Sequence, residues 1–303
     1  MASDTRPTQN APATTSSDPV VTRRRAARIL VVILAVGQPV SSGLFPLLSD
    51  EMMQSGARFS PLIPPGAWFA IWGLIIVASL VWALAQVRPS TIHRERGIRD
   101  RLVAPFSVAF ASFALWLATA AFGQDNPLGL VVFVAYLVAF VIAWRQVVGA
   151  RDEIRSWNVA ERGLLYLTLG VYSGWTSMAF FVQIATVVQS TGAPYDTAWG
   201  ITWQTFVLAA ATGLAILFVV VSRGSIVYAA TVTYALVGVG ISTADAGLTI
   251  LSVVAVVGTS VVWASTGVVR ALGGRRRRDG AGRDGVARDS AADARPASTR
   301  TRS

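Results

Sequence analysis

The sequence predicts an all-α membrane protein, a polytopic helical bundle of about eight transmembrane helices. Three observations carry that expectation. Of its 303 residues, 53% are hydrophobic and 14% charged, with a mean hydropathy of +0.54; soluble domains carry roughly a quarter charged residues. Apolar runs of about 20 residues recur along the chain, each able to span ~30 Å of hydrocarbon. The loops between those runs alternate between basic and non-basic.

Residues 1–25 form a tail rich in Ser, Thr, Pro and Ala, expected to be disordered, that closes on Arg23, Arg24 and Arg25. The first span, 26–48, is too long for a signal sequence and lacks a clear small-residue cleavage site, so it is expected to stay. The second, 66–87, starts behind Pro64, Pro65 and Gly66. Two prolines suit a helix start, because first-turn amides have no intrahelical partner and the fixed φ is already helical. Spans three and four, 102–122 and 128–148, are separated by a short loop with Asp125 and Pro127. The fifth, 163–189, follows an arginine-bearing loop and is interrupted by small polar residues. Spans six, seven and eight are 201–221, 224–241 and 246–272, the seventh short and rich in Ala, Val, Gly and Thr. A tail, 273–303, opens on Arg275, Arg276, Arg277 and Arg278 and is expected to be disordered. Its first arginines suit anchoring of the last helix or contact with anionic lipid.

Loop charge orients these spans. Loops 88–101 and 145–162 are dense in arginine, and Arg223 lies in the turn before the seventh span. The loops around Asp50 and Glu51, Asp125, Asp196 and Asp245 hold only Arg58 as a base. The positive-inside rule then places both termini in the cytoplasm, with the chain integral to the cell membrane. Eight spans satisfy it.

The formal charge is +10, all its basic residues are arginine, and many of these lie in the tails. With no folded basic domain, nucleic acid is not an expected partner. There is no cysteine and one histidine, His93, in an arginine-rich loop, so no metal site or obligatory cofactor is expected. Paired intramembrane carboxylates and a phosphate-binding loop are missing too, so no catalytic residue is assigned and ion coupling has little to act on.

What the spans do hold is aromatic, small and weakly polar. The second places Trp68, Trp72, Ile75, Ser79 and Trp82 on one stripe. The fifth reads "YSGWTSMAFFVQ" and aligns Tyr172, Trp175, Ala179 and Gln183. The third aligns Phe113, Trp116, Ala120 and Gly123, and the fourth Tyr136, Phe140 and Trp144. Trp144 beside Arg145, and Trp82 near Arg88, fit interfacial tryptophans. Trp116 and Trp175 lie deeper, where packing and pocket are equal readings. Gln183 calls for a partner inside the bundle. Small residues beside large rings can leave a flat apolar cavity, the usual build of a small-molecule site. In the last span Gly258 and Gly267 permit the close contact of a homodimer.

These residues resemble the TspO/MBR family, the tryptophan-rich sensory proteins related to the mitochondrial translocator protein. Three stretches carry the likeness in the family's order: "PPGAWFAIWG" from Pro64, "LWLATAAFGQDNPLGL" from Leu115, and "YSGWTSMAFFVQ" from Tyr172. They cover about residues 26–189, so the chain resembles an extended variant whose last three spans, 201–272, have no counterpart in the five-helix family. It departs from the pattern at Ala67, where the family has a tryptophan, at Gln183 for asparagine, and in lacking the Trp-Tyr pair between the first two helices. The resemblance implies a five-helix domain, 26–190, around a pocket for flat hydrophobic ligands such as tetrapyrroles, sterols or other lipids. Trp175 and Ala179 would line it from the fifth helix, Trp68, Phe69 and Trp72 from the second, and Trp116 and Tyr136 from the third and fourth. The first-span "GQPVSSG" would supply small residues and a kink. A sensor or carrier is the function this implies. Alternatives are a facilitator whose last three helices complete a permeation path, and an enzyme degrading tetrapyrroles in light.

Overall fold

A computed structural model of the chain describes residues 19–48, 60–88, 91, 97–123 and 125–293. The tail before Pro19, the loop with Asp50, Glu51 and Arg58, and His93 lie outside the described residues, as do the side chains of Arg276, Arg277 and Arg278. Eight helices follow in order: α1 (Pro19–Leu48), α2 (Ile71–Gln86), α3 (Ile98–Ala120), α4 (Leu128–Gly149), α5 (Val159–Ser190), α6 (Ala198–Val221), α7 (Ile226–Asp245) and α8 (Thr249–Asp293). A 3-10 turn (Gly66–Ala70) leads into α2, and a short helix (Arg151–Arg155) follows α4. Counting that turn with α2, all eight are long and apolar enough to cross a membrane. The described residues contain no strand.

Polar caps close the N-termini of three helices and carry α5 and α6 beyond the predicted apolar limits. The Asn158 side chain accepts from the Glu161 amide, Thr197 from Gly200 and Ser225 from Tyr228, which satisfies amides that the first turn leaves unpaired. Helix α7 starts two residues later than predicted because Arg223 and Gly224 are left-handed, with φ of 58° and 77°, and close the end of α6. At the other end α8 continues to Asp293, so residues 273–293 are helical where a disordered tail is expected. The first proline in that tail is Pro296, so no proline interrupts the helix before its end.

Helix α5 is the axis of the bundle. It touches α2, α4, α6 and α7, and every residue from Thr168 to Met178 is buried, as expected of a helix enclosed on all sides. Gly170 and Gly174 sit four apart on its α7 side. A Cβ on Gly170 would lie 2.7 Å from Val227 Cγ1, and one on Gly174 2.7 Å from Thr231 Cβ. This small-xxx-small pair lets the two backbones close up. The last three helices therefore share one hydrophobic core with the first five.

Two tryptophans expected at the interface are core residues instead. Trp144 is fully buried and donates from Nε1 to Ser173 Oγ at 3.0 Å. Trp82 is 2% exposed and stacks on Trp157 at 6.2 Å. The reason is a charged layer that covers this end of the bundle. Arg99, lying 3.7 Å over the Trp157 ring, pairs with Glu161 at 2.8 Å and bonds Gln86 Oε1. Arg28, 1% exposed, pairs with Asp100 at 2.6 Å and donates to the carbonyls of Gln86 and Thr91. These pairs tie the starts of α1, α3 and α5 to the end of α2. An indole next to a loop arginine is thereby roofed over.

Candidate ligand site

The site grows from the segment before α2. Ser60–Ile63 forms a turn closed by the Ile63 amide on the Ser60 carbonyl, and Pro65 leads into the 3-10 turn. That turn is docked on α7 by a reciprocal clasp. Trp68 Nε1 donates to the Tyr234 carbonyl at 2.9 Å, Tyr234 Oη donates to the Trp68 carbonyl at 3.0 Å, and the rings stack at 5.7 Å. Gly238 makes the approach feasible, since a Cβ there would lie 2.5 Å from Trp68 Cδ1 and 2.9 Å from Pro64 Cβ.

Behind the clasp lies an apolar cavity. Pro64, Phe69, Trp175, Met178 and Ala179 line one side of it. Val207, Leu208 and Ala211 of α6, with Ala235, Leu236 and Val239 of α7, line the other. Phe69 meets Trp175 edge to face at 5.6 Å, which leaves the small Ala179 one turn further on as the gap in the wall. The free volume is about 40 Å³, room for one or two waters. A guest larger than that requires the lining side chains to repack.

Next to the cavity is a solid aromatic cluster centred on Trp72. Trp116 stacks on it at 5.5 Å, while Phe113, Tyr172 and Trp175 approach it edge-on at 4.9, 6.0 and 6.3 Å. Tyr172 Oη has Gln38 Oε1 and the Ala109 carbonyl as acceptors at 3.2 and 3.4 Å, and Tyr136 Oη lies 3.2 Å away. Tyr172 has one proton and two acceptor-only neighbours, so Tyr136 is the donor of that pair. Among the described residues, three buried donors here have no acceptor: Trp72 Nε1, Trp175 Nε1 and Gln38 Nε2. Buried polar groups are nearly always paired, and this trio sits on helices α2, α5 and α1 around one ring cluster.

The sequence-selected residues thus divide. Phe69, Trp175 and Ala179 line the cavity together with Pro64. Trp72, Trp116, Tyr136 and Tyr172 form the aromatic cluster next to it. Trp68 faces α7 in the clasp, and Pro65 and Gly66 shape the turn that carries it. Gln183 lies against Gly129 at the start of α4, where a Cβ would be 3.2 Å from its Cδ. Sequence reasoning missed Gln38, Tyr234 and the whole α6–α7 wall. Gln38 had a signal, an amide in an otherwise apolar run, within a stretch read for its small residues and a kink.

A family model described as "TSPO-like protein" matches residues 25–268. The match runs past the motifs that end at Gln183 and takes in α6, α7 and the apolar part of α8. Among curated proteins and among solved structures, none matches the chain.

Proposed function

The chain belongs to the TSPO-like protein family, and on that premise we propose that it binds a flat hydrophobic molecule, tetrapyrrole-like or lipid-like, in the cavity between Phe69, Trp175 and the α6–α7 wall. It acts as a sensor or carrier of that molecule. The observation that carries this reading is the apolar cavity bordered by Trp175 and Ala179, beside the unpaired N–H groups of Trp72, Trp175 and Gln38. Apolar walls with a few placed polar groups suit a ring system carrying one or two acceptor atoms. The soft Met178 side chain and the ring of Phe69 can repack around a guest. Loop charge supports a cytoplasmic location for the arginine-bearing face.

Titration of the purified protein with protoporphyrin, followed by tryptophan fluorescence, tests the proposal. The expected result is saturable quenching, since Trp68, Trp72, Trp116 and Trp175 lie at or next to the cavity. Trp175→Phe should weaken binding by about three- to tenfold, the scale of one lost aromatic contact. Ala179→Val, whose two added methyl groups match the free space, should weaken binding further while the protein stays folded. Linear, non-saturating quenching in the parent protein would sink the reading.

A further inference from the structure

The opposite end of α5 opens on a second cavity, unrelated to the aromatic site. Tyr166 at its edge and Trp175 at the first cavity are roughly two turns or more apart along α5. Four chain segments wall it: the end of α4 with the short helix, the start of α5, the α6–α7 turn, and α8 around Arg270. Its volume is about 1070 Å³. Among the described residues, Arg151, Arg155, Arg162, Arg223 and Arg270 line it against a single acid, Asp152.

The arrangement leaves positive charge unanswered. Asp152 is engaged by Arg155 at 2.9 Å. Arg270 Nη1 donates to the Gly224 carbonyl at 3.2 Å, which holds its guanidinium over the turn. The guanidiniums of Arg162 and Arg223 make no hydrogen bond or ion pair among the described residues. Arg223 is also the only non-glycine described residue with positive φ, at 58°, a conformation that its Cβ disfavours. Gly224 behind it lets α8 close in, because a Cβ there would lie 2.7 Å from Arg270 Cγ. The turn is thereby held in a form that presents an arginine where asparagine or glycine would fit more easily. The rest of the wall includes Val148, Val227 and Val269.

We propose that this groove binds a phosphate group, carried either by an anionic lipid headgroup or by a soluble phosphoester. Guanidinium forks match phosphate oxygens in pairs, and several lining one space suit a tetrahedral anion with three open oxygens. The valines among the arginines suit the glycerol or acyl portion of a lipid at the membrane surface. The site is independent of the aromatic cavity.

The test uses the full chain in dodecyl maltoside, a background without phosphate, with phosphatidylglycerol and glycerol phosphate as probes and diacylglycerol as the uncharged control. The expected result is saturable binding of at least one phosphate probe and none of diacylglycerol. Binding of both probes assigns recognition to the phosphate alone, and binding of the lipid only assigns it to the headgroup at the bilayer. Arg162→Ala and Arg223→Gly should each weaken binding roughly fivefold without lowering the melting temperature of the probe-free protein. Glycine suits the left-handed turn, so that variant keeps the fold while losing the charge. Asp152→Asn, which releases Arg155, should tighten binding, and added salt should weaken it. The proposal is overturned if neither phosphate probe binds, or if the Arg162→Ala/Arg223→Gly double variant and Asp152→Asn both bind like the parent.

Discussion

Trp68 and Tyr234 show how much a single pair carries here. Each donates to the other's backbone carbonyl while their rings stack, so the approach to α2 is fastened to a helix more than 160 residues later. Trp68→Phe and Tyr234→Phe each keep a ring and lose one bond. The expected cost is ~0.6–1.5 kcal/mol apiece, read from thermal unfolding in detergent. Because the two bonds share one docking geometry, the double variant should cost less than the sum of the singles; strict additivity would count against a clasp. Gln38 poses the opposite case. Its Nε2 is buried without an acceptor, so Gln38→Met should change stability by less than ~1 kcal/mol, the lost Tyr172 bond being offset by removal of an orphan donor. If that donor meets a ligand acceptor, protoporphyrin binding weakens in the same variant. Unchanged binding would remove Gln38 from the site and leave the cavity walls as the determinant.

At the scale of elements, the packing of α7 on α5 turns on Gly170 and Gly174. Gly174→Leu would drive a side chain into Thr231 and the Tyr228 carbonyl, and the helices can relieve it only by separating. A loss of ~2–4 kcal/mol is expected, near the upper range for overpacking. Gly213→Ala is the matched control, since a Cβ there meets nothing within 4 Å; it should be neutral or raise stability by up to ~1 kcal/mol. Equal effects of the two would show that glycine propensity rather than close approach governs these positions. The eight spans themselves were legible, because hydropathy and loop charge act over whole segments and survive an error of a few residues. The stripe on α5 was legible too, as helical spacing brings Trp175 and Ala179 together. The α5–α7 contact was not, although the Gly170–Gly174 spacing stood in the chain. A small-residue pair names a contact surface and not its partner. Trp82 and Trp144 were misplaced for a related reason: proximity to a loop arginine reads as the interface unless the ion pairs that roof it are known.

For the whole molecule the question is whether five helices make a unit to which three are appended. The family motifs end at Gln183, but the matched region continues to residue 268, and the cavity takes one wall from α6 and α7. Buried charge fastens the bundle from the other end. Arg99 with Glu161 and Arg28 with Asp100 connect α1, α3 and α5, and both arginines also bond Gln86 at the end of α2. Breaking one such pair, as in Arg99→Met, should cost ~3–5 kcal/mol, because Glu161 then stays partly buried without its cation. That layer would survive removal of α6, α7 and α8, so it offers a test of autonomy. A chain ending at Ser190 retains the Arg28 and Arg99 pairs and the Trp72 cluster, but exposes Gly170, Gly174 and Trp68 and loses half the cavity. If the eight helices form one cooperative unit, this truncation does not give a monodisperse protein in detergent and shows no saturable porphyrin quenching. Adding residues 191–293 back as a separate chain should restore both, since α7 supplies the clasp and the missing wall. A truncated chain that is monodisperse and binds with parental affinity would establish the first five helices as the functional unit and relegate the α6–α7 wall to packing.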